Sequence, residues 1–80
     1  MTPAPGHFLL PAMLPRHKAT ITAVHAADGL YQRLTALGFR RGQAIEIIRR
    51  AAFAGPLHVR LGTTDVIIRG ADAACIHVTP

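Results

Sequence analysis

The sequence predicts a mainly β domain, a small barrel of about five short strands with one short α-helix after the first strand. Three observations carry that expectation. Five short runs of β-branched or alternating apolar residues recur along the chain, divided by glycine, proline and aspartate. Only one stretch places apolar residues at helical spacing, and it is short. Eighty residues with 50% hydrophobic and 16% charged content make a folded chain near the lower size limit for one core. Closure into a barrel suits a chain so short, because it removes exposed strand edges.

Residues 1–13 begin "MTPAPG" and continue through Pro11, so they read as a flexible Pro-rich tail ahead of a domain at 14–80. Leu10, Met13 and Leu14 are placed to fold a short turn against the base of that domain. "KATITAVHA" gives the first strand through Thr20, Ile21, Thr22 and Val24. Its alternation slips between Ile21 and Val24, the mark of a bulge or a strand end. "ADGLYQRLTALG" puts Leu30, Leu34 and Leu37 on one helical stripe, with Asp28 as the expected N-cap.

Gly38 follows that helix, where a left-handed residue commonly ends one, and Phe39 is expected to fold back on Leu34. "RRGQ" fits a tight turn with Gly42 at the positive-φ position. "QAIEIIRRA" is the second strand, with Ile45 and Ile47 on one face. "AFAGP" is a loop. "LHVRLG" alternates most cleanly, Leu57, Val59 and Leu61 inward against His58 and Arg60 outward. Gly62 turns the chain into "TDVIIR", "GADAA" allows one helical turn, and "CIHV" closes the domain with Ile76 and Val78 inward.

Chemistry-bearing patterns are sparse. A phosphate loop needs closely spaced glycines that open a helix, whereas Gly38 and Gly42 close a helix and open a strand. The chain has no serine, and Asp28, Glu46, Asp65 and Asp72 sit on separate elements, so no nucleophile–base set or paired carboxylates emerge. No catalytic residues are assigned, and the expectation is a non-enzyme. Cys75 and His77, two apart on a strand, and His58 are the weak metal candidates, with His7, His17 and His25 nearer the tail. One cysteine permits no internal disulfide and suits a reducing cytoplasm.

The formal charge of +5 rests on eight arginines and one lysine against four acids, and favours an anionic partner. The arginines are scattered, and one Tyr and three Phe make a thin base-stacking platform, so no stable nucleic-acid complex is expected. A basic small-barrel nucleic-acid binder and a transition-metal-binding module stand as the alternatives. No apolar run approaches the ~20 residues of a membrane span. "HFLLPAMLP" is broken by Pro11 and lacks preceding positive charge, so neither export nor a span is predicted. The remaining reading is an adaptor. Arg33, Arg40, Arg41, Arg49 and Arg50 are expected to cluster near the helix end and the second strand, with Phe53 beside them as an apolar anchor.

Three stretches resemble the FeoA family of bacterial ferrous iron transport proteins. They are "RLTALGFRRGQAIEII" (Arg33 to Ile48), "AGPLHVRLGTTDVIIRGADAACIHV" (Ala54 to Val78) and, more weakly, "LPRHKATITAV" (Leu14 to Val24). The family often has Pro-Gly where this chain has Arg41–Gly42, and a glycine where Arg16–His17 stand. The resemblance implies an SH3-like barrel and a cytoplasmic accessory role in Fe(II) uptake. The implied partner is the cytosolic portion of FeoB, a membrane permease with a GTPase domain. It requires no cofactor of this subunit, is compatible with transient Fe(II) or another transition metal, and leaves homo-oligomerisation open.

Overall fold

A computed structural model describes residues 8–53 and 55–80. The elements run β1 (Phe8–Leu9), a 3-10 turn (Leu10–Ala12), β2 (Lys18–Val24), α1 (Asp28–Leu37) and β3 (Ala44–Arg50). They continue with β4 (Leu57–Leu61), β5 (Thr64–Ile68), α2 (Gly70–Ala73) and β6 (Ile76–Thr79). All strand pairs are antiparallel, in the order β1-β6-β2-β3-β4-β5. The five expected strands are present, and β1 makes a sixth. The helix accordingly follows the second strand of the sheet, and α2 adds a single turn.

Alternation explains which face each strand buries. Ile45 pairs with Leu61, Ile47 with Val59 and Leu57 with Ile68, and all six side chains are buried. Ile21, Ile76 and Val78 continue the same interior from β2 and β6. Leu34 and Phe39 close it from the helix side. Two register slips interrupt the ladder, between Ile21 and Ala23 and between Ile47 and Arg49. The first is where the sequence alternation falters. A bulge there lets Ile21 and Val24 both turn toward the core although they stand three apart.

Of the segment expected to be a tail, residues 1–7 lie outside the described residues, His7 among them. Residues 8–13 are a strand and a turn, with Leu10 and Met13 fully buried. Pro11 ends a strand but is accommodated at the start of a 3-10 turn, where its missing N–H costs nothing. The pairing of Phe8 with Val78 and Leu9 with His77 is nonlocal, so no local pattern announces it.

Two further expectations need correction. The N-cap of α1 is Ala27, and Asp28 occupies the first turn without a side-chain cap bond. Its charge still suits the positive helix end. Leu37 is 44% exposed, because the chain turns at Gly38 and Phe39 fills the place below Leu34 instead.

Candidate partner-binding site

The turn between α1 and β3 is built by hydrogen bonds from the amides of Gly38, Phe39, Gly42 and Gln43. Gly38 (φ 111°) donates to Thr35 O at 3.1 Å, and Phe39 donates to Leu34 O at 3.0 Å. That pair is a Schellman ending, with Phe39 and Leu34 buried together. Gly42 (φ 88°) donates to Ile21 O at 2.7 Å, and Gln43 donates to Arg40 O at 3.0 Å. Ile21 N returns a bond to Gln43 O at 2.9 Å. These amides point into the fold, so "GFRRG" is a joint rather than a phosphate cradle.

The joint leaves its side chains outside. Arg40 donates through Nε to Thr35 O at 3.1 Å, which fixes its guanidinium beside the helix. Arg41 is exposed and makes no side-chain hydrogen bond or ion pair among the described residues. Both line a cleft of about 580 Å³ with Thr22, Ala23, Val24, Tyr31, Thr35 and Phe39. No carboxylate is among these residues, so the cleft carries positive charge over a partly apolar floor.

The other predicted residues do not join this cleft. Arg33 reaches Asp72 Oδ2 at 3.4 Å, and Arg69 holds the same carboxylate through bonds of 3.1 and 3.3 Å. Asp72 is buried, and through it Arg33 ties α1 to α2 while Arg69 holds the carboxylate from the start of α2. Arg49 and Arg50 lie at the far end of β3, on the order of 20 Å from Arg41 at the ordinary strand rise. The five arginines therefore form no single cluster, because a whole strand separates the pairs.

Arg50, though exposed, is engaged within the chain, where its Nη2 donates to the carbonyls of Pro11 and of Met13, the latter at 2.6 Å. It holds the 3-10 turn against the sheet. Arg49 faces outward beside His58, its cross-strand partner. Phe53 is fully exposed at φ 58° in the β3–β4 loop and does not fold over the core rim. It shares a groove with Pro11, Arg50 and Leu57.

The metal candidates also separate. Cys75 and His77 lie at β6, and the His77 ring meets the His25 ring edge-on with centroids 4.5 Å apart. His58 stands on β4, with β2 and β3 between, and bonds Asp65 Oδ2 at 3.0 Å. Arg60 holds the same carboxylate at 2.7 and 3.2 Å. Hydrogen bonds from Arg60, then from His58, lower the Asp65 pKa to about 2, and the same pairing raises that of Arg60. Among the described residues no three His, Cys, Asp or Glu side chains gather to hold a metal ion. Among the described residues no helix is long and apolar enough to cross a membrane.

Sequence reasoning missed Asp72 as the link between helices and Arg50 as the support of the N-terminal turn. Both contacts bridge residues 37 or more apart in the chain, which no local pattern announces.

None of the curated proteins compared matches this chain. Solved structures do. An iron uptake regulatory protein, FeoA, superposes with a TM-score of 0.84 at 20% identity, over 91% of this chain and 96% of that one. A Stenotrophomonas maltophilia FeoA complexed with zinc has a TM-score of 0.77 at 27% identity, over 89% and 88%. It is described as an SH3 domain protein and a candidate ferrous iron transport activating factor. A manganese-dependent transcriptional repressor shares the fold at TM-score 0.85 and 22% identity, and this chain spans 43% of it. The FeoA domain model matches residues 8–80, the same span that the sheet occupies from β1 to its end, and the chain belongs to the FeoA family, which is linked to ferrous iron transport.

Proposed function

We propose that this chain is a non-enzymatic, cytoplasmic accessory protein of ferrous iron uptake that acts by docking on the cytosolic portion of a FeoB-type transporter. One observation carries the reading beyond the family itself. The turn that holds Arg40 and Arg41 spends its flanking amides, Gly38, Phe39, Gly42 and Gln43, on the fold, and both arginines line a cleft with no carboxylate among its lining residues. Such a surface complements an acidic protein face. It needs no resident cofactor, and Fe(II) is the transporter's cargo.

The nucleic-acid alternative has less support. Arg33, Arg50, Arg60 and Arg69 are engaged in internal hydrogen bonds, which divides the positive surface into separate patches. A backbone-tracking protein needs a continuous basic groove.

The test is co-purification with the transporter after Arg40→Glu and Arg41→Glu together, with Arg49→Glu as a separate variant. Recovery falls for the double variant if the cleft docks the transporter. Unchanged recovery for both variants overturns the assignment of this surface.

A further inference from the structure

The cleft beside Arg40 and Arg41 has a second property besides charge. β2 pairs with β3 only from Lys18 to Thr20, and the reciprocal bonds of Ile21 with Gly42 and Gln43 end that contact. On its other side, β2 stays paired with β6 as far as Val24. Residues 22–24 therefore have a strand neighbour on one side alone, and the cleft lies on the other.

The direction of the open groups follows from the next bond along. His25 N donates to Cys75 O at 2.8 Å, toward the β6 side. Alternation along a strand then turns the N–H and C=O of Val24 the opposite way, toward the cleft. Among the described residues no backbone hydrogen bond meets them there. A backbone donor and acceptor at the rim of a groove are a template for an added strand.

The walls state which strand would fit. Besides β2, the cleft is lined by Tyr31 and Thr35 of α1, by Phe39, and by Arg40 and Arg41. Arg40 is held by Thr35 O, so its remaining N–H groups are pre-aimed, and Arg41 has no internal partner. Guanidiniums in that position recognise carboxylates through paired N–H···O bonds.

We infer that this cleft binds an extended acidic peptide segment, which adds to β2 at Val24 and sets its carboxylates on Arg40 and Arg41. This deepens the docking reading above by naming what the transporter partner presents. An occupant that relied on charge alone would ignore the backbone edge, and an apolar strand would leave both guanidiniums unanswered.

The probe is a capped peptide of three Glu-Val repeats, titrated into the ¹⁵N-labelled full chain at low salt. Saturable shifts are expected at the Val24 amide and at the Arg40 and Arg41 side chains. The Lys-Val counterpart should produce none. The Glu-Val peptide N-methylated at every residue has no backbone N–H on either edge and cannot pair as a strand, so its affinity should fall at least tenfold without any change to the protein. Arg40→Glu with Arg41→Glu should lower affinity for the unmodified peptide by at least tenfold, with the rest of the amide spectrum retained.

Equal binding of the N-methylated peptide overturns strand addition, and absence of saturable binding by Glu-Val overturns the acidic occupant. Shifts at Val24 that depend on protein concentration alone would assign the edge to a second copy and also overturn it. Peptide binding without co-purification of the transporter would leave this inference standing while the proposed function fell.

Discussion

Replacing Gly38 by alanine puts a number on how much the change of course after α1 depends on glycine. Gly38 sits at φ +111°, which an L-residue reaches at a cost of about 1–2 kcal/mol. A Cβ there would also stand 3.2 Å from Leu61 Cδ1, and Leu61 is buried in the sheet. Pushing that side chain off its rotamer costs about 0.5–1.5 kcal/mol more. Gly38→Ala should therefore lose about 1.5–3.5 kcal/mol. Gly42, at φ +88° with nothing within 4 Å of a new Cβ, should lose only the backbone part, about 1–2 kcal/mol. Gly29, in the first turn of α1 with open space around it and no positive φ, supplies the opposite sign, and Gly29→Ala should gain up to about 1 kcal/mol. Urea unfolding of the three variants measures all of this. Leu61→Val removes the crowding atom, so in its background Gly38→Ala should cost about as much as Gly42→Ala. If Gly38→Ala is no worse than Gly42→Ala and Leu61→Val changes nothing, the contact argument fails. If both glycine variants are neutral, the account of the joint fails with it.

Asp65 has a folded-state pKa of about 2 against an ordinary value of 3.8, held down by Arg60 and His58. A depressed carboxylate adds stability that is complete above its unfolded pKa and is lost as pH falls toward the folded one. The urea midpoint should thus drop between roughly pH 4 and pH 2, with a smaller drop in Asp65→Asn. Arg50→Ala should cost about 1–2 kcal/mol by freeing the carbonyls of Pro11 and Met13, and should speed amide exchange at Leu9. Arg50→Lys should recover only part, since the ammonium sits on a shorter stem than Nη2, the one atom that donates to both carbonyls. Phe53→Asn should raise stability by about 0.5 kcal/mol, because Asn tolerates φ 58° and the exposed ring gives up no burial. A measured loss would mean that the ring packs on the protein.

The parts of this fold legible in the sequence are those decided within a few residues. The Gly38–Phe39 ending, the inward set Leu57, Val59 and Leu61, and the faltering alternation after Ile21 all appear in the structure where the pattern puts them. Each depends on backbone conformation or pleat, which a short window determines. What stayed hidden depends on partners distant in the chain. Phe8–Leu9 becomes a strand because β6 offers it an edge, and Leu10 is buried because α2 and β6 close around it. Arg33 reads as a free surface charge until α2 brings Asp72 to it, and Arg50 does until Pro11 and Met13 return beneath it. The separation of Arg40–Arg41 from Arg49–Arg50 was readable in principle. Seven residues of strand are a fixed length, and a fixed length keeps the two pairs apart.

The two register slips link this legibility to what the molecule can do. Strict alternation from Ile45 and Ile47 would send Arg49 into the core, where an unpaired guanidinium is untenable. The slip after Ile47 instead pairs Arg49 with outward-facing His58, so the charge reaches water. In β2, strict alternation from Ile21 would bury Ala23 and turn Val24 out. The slip pairs Ala23 with His77 and sets Val24 across from buried Ile76. It also fixes which backbone groups face the cleft, since every residue after an inserted one presents its N–H to the opposite neighbour. One slip in each strand therefore settles which side chains are buried, and the slip in β2 also settles which backbone groups face the cleft.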